Sequence, residues 1–284
     1  MTSSYVIAFV TVLAISIVFS MFGKGGGALY TPVLVMLGWK LNQAVPSALF
    51  LNLLTAVVAT VVFARNQLVD FKFASVFLPG TIAGSLIGAV VSPWVPTNLI
   101  LAIFSPFLLV AGILLFQSKK GDPNEPVRKV DRWVLANVVG FSFVMGVLSS
   151  LLGVGGGLII FPYLVLYMKY HAQKAAGANA YIVSVSSLVG TLGHFSLGHV
   201  PYSLIALASV ASIIGSSIGS HVTVKASPAF VKVAFAFILW FFSGQIAYGL
   251  VKPHFMSAPT AAASQHVATA IPPENRVLPA ADRK

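Results

Sequence analysis

The chain has 284 residues, 57% of them hydrophobic and only 8% charged, with a net charge of +11 and no cysteine. Soluble domains carry roughly 25% charged residues, so this chain has too little polar surface to face water and points to a lipid bilayer. The missing thiols exclude disulfides, thiol nucleophiles and Cys-based zinc sites, and the scattered cations build no dense basic face for nucleic acid.

In chain order, the first apolar run covers residues 5–22. It lacks the basic start and small-residue cleavage pattern of a signal peptide and predicts a first membrane helix. Further runs near 45–64, 73–92, 98–117, 133–152, 176–195, 202–221 and 229–251 approach the length that crosses the hydrocarbon core. Runs this continuous predict helices, since barrel strands alternate in character. Trp39, Trp94 and Trp133 fall at run ends, where indole favours the interface. The polar stretch SKKGDPNEPVRKVDR, Ser118 to Arg132, separates a first membrane unit at 1–117 from a second at 133–251. The tail at 252–284, rich in Pro, Ala, Ser and Thr, has little to bury and is expected to be disordered.

The two units repeat each other. Gly23, Gly25, Gly26, Gly27 and Pro32 in MFGKGGGALYTP recur as Gly153, Gly155, Gly156, Gly157 and Pro162 in LLGVGGGLIIFP. Gly84 and Gly88 in GSLIG recur as Gly215 and Gly219 in GSSIG, with the small-xxx-small spacing that brings membrane helices close. Each glycine stretch follows a membrane-length helix and precedes a short apolar piece, Ala28–Leu37 or Leu158–Met168. Glycine permits a break there, and the short piece spans only about 15 Å at roughly 1.5 Å per residue. The expectation is a helix, a break at depth and a short returning half-helix, whose first N–H groups are unpaired and attract an anion. A close-packing site or an ordinary short loop is the plainer reading.

Neither stretch is a nucleotide motif. Val18 stands where a P-loop needs its first glycine and Gly25 where it needs Ser or Thr, while Leu158 replaces the last glycine of the dinucleotide fingerprint. The fold class expected is an all-α polytopic membrane protein of two homologous halves, each a Gly-broken hairpin plus three full spans, as inverted repeats. Eight full spans in two direct repeats of four is the alternative. The hairpin arrangement collects Arg65, Lys72, Lys119, Lys120, Arg128, Lys129, Arg132, Lys169, Lys174 and Lys225 on one side, with Lys40 and Lys252 on the other. Eight crossings split them less unequally. Cations favour the cytoplasm, so the linker is expected inside and both termini outside.

The duplicated GxGGG-x4-P segments, the two halves and the basic linker resemble the TauE/SafE family of sulfite exporters and toluenesulfonate uptake permeases over residues 5–251. The resemblance implies a cell-membrane permease for small sulfur-containing anions, with no bound cofactor. It assigns no role to Lys24, which has no counterpart in the second half.

Candidate substrate-binding residues are Gly23, Lys24, Gly25, Gly26, Gly27, Ser47, Asn52, Gly153, Gly155, Gly156, Gly157 and Asn179. Lys24 has no Asp or Glu near it in sequence, so the substrate itself could be its counter-ion; a lysine snorkelling to headgroups is the other reading. Ser47, Asn52 and Asn179 could add donors to an oxyanion, or serve as interhelical glue. His194 and His199 bracket a turn and suggest a pH-sensitive gate or proton relay, or simply interfacial histidines. All six carboxylates lie in expected loops or the tail. No acid–base pair or Ser–His motif marks an enzyme, no metal site is expected, and a membrane enzyme or assembly scaffold stands as the alternative function. The partners expected are a small anion and the bilayer, with a homo-oligomer left open.

Overall fold

The structure, a computed structural model, describes residues 2–39, 41–91, 94, 97–118, 131–152, 157–195 and 202–251. Linker residues 119–130 and the tail at 252–284, with the expectations placed on them, lie outside the described residues. The described residues are all-helical: α1 (Thr2–Ser20), α2 (Gly27–Met36), α3 (Leu41–Arg65), α4 (Phe71–Ser75), α5 (Phe77–Val91), α6 (Thr97–Gln117), α7 (Arg132–Leu152), α8 (Gly157–Leu166), α9 (Ala172–Phe195), α10 (Tyr202–Lys225) and α11 (Pro228–Val251). Four described stretches, Pro46–Arg65, Phe71–Gly88, Ile205–Lys225 and Pro228–Tyr248, are long and apolar enough to cross a membrane. Large apolar side chains such as Val10, Leu86, Phe107, Val210 and Phe237 face outward. Such a surface suits lipid and not water.

The first glycine stretch ends α1 in a specific way. Gly23 takes φ 63, its N–H donates to Ser20 O (3.0 Å) and the Lys24 N–H donates to Phe19 O (3.2 Å). These are the paired bonds of a helix stop whose left-handed residue is glycine. Gly25, at φ 68, turns the chain a second time, and α2 then runs back along α1. A Cβ on Gly26 would meet the Ile15 side chain, Tyr30 bonds Ser16 at 2.8 Å, and Leu34 shares a buried cluster with Ala8. The same stop closes α2 at Gly38 and α3 at Gln67, both at positive φ. In the second unit α8 returns along α7, where the Tyr163 hydroxyl donates to Asn137 Oδ1 (2.6 Å) and its ring stacks on Phe141 at 3.8 Å.

Helix directions follow from the contacts. Gly215 packs against Leu13 and Ser16, and Gly219 against Ile17, while the Thr223 hydroxyl donates to Met21 O; α1 and α10 are therefore parallel. Ser212 donates to Leu51 O and Ser216 to Thr55 O, so α3 runs the same way. Gly80 faces Ser142 and Gly84 faces Phe143 and Val147, which makes α5 and α7 parallel to each other. By contrast α3 and α9 are antiparallel, through Asn52 with Ser187 and Leu68 with Gly177. The pair α6 and α11 is also antiparallel, through Ser105 with Ser243 and Ser118 with Lys232.

One end of the bundle gathers the C-terminal ends of α3, α6, α8 and α10. There Tyr170 donates to Asp70 (3.3 Å), Gln173 donates to Ala226 O (2.8 Å) and Lys232 donates to Ser118 O (3.3 Å). Arg65, Lys72, Arg132, Lys169, Lys174 and Lys225 belong to these same helix ends and loops. Asp70 and Asp131, the described carboxylates, each accept a backbone N–H at the start of a helix, from Phe73 (3.0 Å) and Val134 (2.8 Å). That is the stabilising place for a carboxylate on a helix.

Close helix contact depends on the glycines of α5 and α10. A Cβ on Gly84 would run into Phe143 O, and one on Gly219 into Ile17 O, both backbone atoms that cannot swing away. Gly84→Val and Gly219→Val should each cost about 1–3 kcal/mol by overpacking and lower the melting temperature of the purified protein. Gly140→Ala, which meets nothing within 4 Å in the interior of α7, should leave it equal or higher, since a helix-interior glycine is about 0.5–1 kcal/mol less favourable than alanine.

Candidate functional site

The break between α1 and α2 sits beside the middle of α3. Asn52 faces Gly27, and it lies about 16 Å from the start of α3 and about 20 Å from its end at roughly 1.5 Å per residue. Gly23 packs on the other side against α9, where a Cβ would collide with Ala176 O and with Ala180. Only glycine fits here, for the left-handed φ and for the backbone approach. Gly157, the first residue of α8, packs against Lys24: a Cβ there would lie 2.9 Å from Lys24 Cγ and 3.2 Å from its Cα. The first residue of the second half-helix therefore touches the break of the first.

Lys24 is 1% exposed, and its Nζ has no hydrogen-bond partner among the described residues. It does not reach the lipid surface. It lies 4.7 Å from the centroids of both Phe19 on α1 and Phe242 on α11. Each ring returns about 2 kcal/mol or more when water is excluded, without supplying a hydrogen bond. Burying an ammonium costs several kcal/mol, so the rings offset only part of the cost. An anion about 4 Å away would add roughly 4 kcal/mol at an effective dielectric near 20.

Two asparagines hold the breaks. Asn52 Oδ1 accepts the Gly27 N–H (2.8 Å), and its Nδ2 donates to Ser187 Oγ on α9 (2.6 Å). Asn179 on α9 donates from Nδ2 to Phe22 O (2.9 Å) and to Gly157 O (3.0 Å), so one amide ties the first break to the start of α8. Its Oδ1 is buried without a partner. The first half-helix thus does not present a row of free donors. The Gly27 N–H goes to Asn52, and the Leu29 and Tyr30 N–H groups go to Gly26 O (2.9 and 3.1 Å).

Behind Gly26 lies a chain of buried hydroxyls. Tyr30 bonds Ser16 and Thr55, each at 2.8 Å, and Thr55 bonds Ser212 at 2.7 Å. The chain joins α1, α2, α3 and α10 around the break. The Ser47 hydroxyl donates to Gln43 O in its own helix (2.7 Å), more than one turn away from Asn52. His194 falls in the last turn of α9. Gly153, Gly155, Gly156 and His199 lie outside the described residues. Among the described residues no cluster of metal-ligating side chains forms. Two surface grooves, one along Ser217, His221 and Lys225 and one along Asn137, Phe141 and Tyr163, do not include Lys24, Asn52 or Asn179. Lys24, Asn52 and Asn179 are all buried.

An unpartnered buried ammonium destabilises the fold that contains it. Lys24→Met, similar in volume and uncharged, should be neutral or stabilising by about 1–4 kcal/mol, read as an equal or higher melting temperature. Asn52→Ala, which strands the Gly27 N–H, should lower the melting temperature by the equivalent of about 1–3 kcal/mol.

Comparison with known proteins identifies the lineage. Residues 7–246 match the family described as "Sulfite exporter TauE/SafE". The chain is 27% identical over 271 residues to the "Probable membrane transporter protein YunE" of Bacillus subtilis (strain 168), covering 86% of this chain and 98% of that one. It is 22% identical over 244 residues to a probable membrane transporter protein of Methanocaldococcus jannaschii, covering 79% and 88% of the two chains. No solved structure gives a significant match. With a bundle of lipid-suited helices and a family match across nearly its whole described length, the chain belongs to the TauE/SafE family of multi-pass membrane transporter proteins.

Proposed function

We propose that the chain is a secondary transporter, not an enzyme, that moves a small sulfur oxyanion, sulfite or a sulfonate, across the cell membrane. The observation that carries this reading is the Lys24 ammonium, buried without a hydrogen-bond partner among the described residues where the start of α8 meets the first helix break. A charge held at depth is functional by default, and this one lacks any counter-charge among the described residues. Lys24 supplies the attraction. Asn179 and the backbone from Gly23 to Gly27 and around Gly157 shape the site, with Gly153, Gly155 and Gly156 as the second half's share. Asn52 acts as a positioning residue, holding α2 to α9.

In this reading the halves are inverted repeats. The corresponding pairs α1 and α7, α3 and α9, α5 and α10, and α6 and α11 run in opposite directions, and the packing of α1 on α10 corresponds to that of α7 on α5. A site between inverted halves lends itself to alternating access. The basic end of the bundle faces the cytoplasm by the distribution of cations, which puts both termini outside.

Two experiments test this. In proteoliposomes, wild type should move sulfite down its gradient. Lys24→Gln should weaken apparent affinity by roughly 5- to 30-fold, about 1–2 kcal/mol, with the fold retained. Unchanged affinity in Lys24→Gln would remove the lysine from the site. For orientation, a reporter fused at Ala263 should be active only outside the cytoplasm, and activity inside would refute the proposed topology.

A further inference from the structure

Two polar atoms at the centre are buried and unmatched, and they are of opposite kinds. Lys24 Nζ offers positive charge and donors, whereas Asn179 Oδ1 offers only an acceptor. The identity of that acceptor is fixed by its neighbours. The other terminal atom of Asn179 faces two carbonyl oxygens, Phe22 O and Gly157 O, and only an NH2 group can donate to both. The atom left over must be the oxygen. Both residues border Gly157, which packs against Lys24 on one side and accepts from Asn179 through its carbonyl.

We propose that the site selects a singly charged oxyanion that still carries a proton, of the hydrogensulfite kind, over dianions and over monoanions without an O–H. This rests on the site reading above and specifies its ligand. One ammonium balances one negative charge, and a second charge on the ligand would stay unpaired in a dry site. An oxyanion without a proton has only acceptors to show Asn179 Oδ1, and acceptor against acceptor leaves both unsatisfied. A ligand O–H donates to that oxygen while its charged oxygens take the Lys24 ammonium. Sites that hydrogen-bond a ligand hydroxyl discriminate strongly against the analogue that lacks it.

The test compares sulfite with methanesulfonate on the purified wild-type protein by calorimetry. Methanesulfonate keeps one negative charge throughout and carries no O–H, with a methyl group and three oxygens on sulfur where hydrogensulfite has one O–H and two oxygens. Sulfite should bind more tightly as pH falls through its second ionisation, and at the low end should exceed methanesulfonate by on the order of tenfold or more. Among the described residues, Phe19 from α1, Gly157 from α8 and Phe242 from α11 lie against Lys24, and Val183 and Asn179 from α9 lie against Gly157; none of these is titratable. The methanesulfonate series at the same pH values therefore reports any change in the charge of Lys24 itself.

Equal binding of the two probes at low pH, with Lys24→Gln weakening both, would overturn this inference and leave the site reading intact. Binding of neither probe, or sulfite binding unaffected in Lys24→Gln, would overturn the site reading and this inference with it. Asn179→Ala should bring the sulfite-to-methanesulfonate ratio close to one. A folded Asn179→Ala protein that keeps the wild-type ratio would also overturn the inference. If that variant does not fold, the wild-type comparison decides alone.

Discussion

A helix interrupted inside a bilayer must find protein partners for the backbone groups it frees, because lipid offers none. Much of the central architecture follows from how this chain meets that demand at residues 21–27. The break cannot sit against lipid, so α3 and α9 enclose it, and each supplies one asparagine. Asn52 takes the Gly27 N–H, and Asn179 takes the Phe22 carbonyl. The close approach of α9 then requires glycine at position 23. The Asn52–Ser187 and Asn179–Phe22 bonds bridge residues 135 and 157 positions apart, so the break is held by helices from both units and not by its own hairpin.

The same enclosure explains how a lysine can reside there. Flanking glycines have no side chains to crowd the ammonium, and the last helix contributes Phe242 opposite Phe19. Two rings are a partial substitute for a counter-ion and make no hydrogen bond. A carboxylate partner would have given a tighter fold, but it would also have competed with an incoming anion. The arrangement keeps a positive charge at depth that an anion can satisfy better than the protein does. The carboxylates Asp70 and Asp131 are used at helix starts on the basic end instead.

Much of this was legible in the sequence, and what was not has a consistent cause. The GKGGG break, the lengths of the short half-helices and the lipid-suited spans were readable because glycine placement and apolar run length are local signals. The short pieces expected at 28–37 and 158–168 fold as Gly27–Met36 and Gly157–Leu166. Asn52 and Asn179 stood out as amides in apolar runs, yet their work depends on partners in the other unit. The expected free donors of the first half-helix are largely occupied, because Asn52 caps Gly27. Phe19 and Phe242 were invisible as a pair, since a phenylalanine facing a lysine reads the same as one facing lipid. The turn at Val76 that divides the run near 73–92 into α4 and α5 precedes Pro79, whose missing N–H cannot serve Ser75 O four residues back, a proline signal hidden within a continuous apolar run.

The central claim is that an anion binds beside Lys24, where the start of α8 meets the first break. Crystals grown with selenite, whose selenium scatters anomalously, locate such an ion directly. The account predicts an anomalous peak enclosed by Lys24, Asn179 and Gly157, with a ligand oxygen within hydrogen-bond distance of Lys24 Nζ and the ammonium drawn off the Phe19 and Phe242 rings. Selenite found only at the basic helix ends or in the surface grooves, with Lys24 still between the two rings, would contradict it.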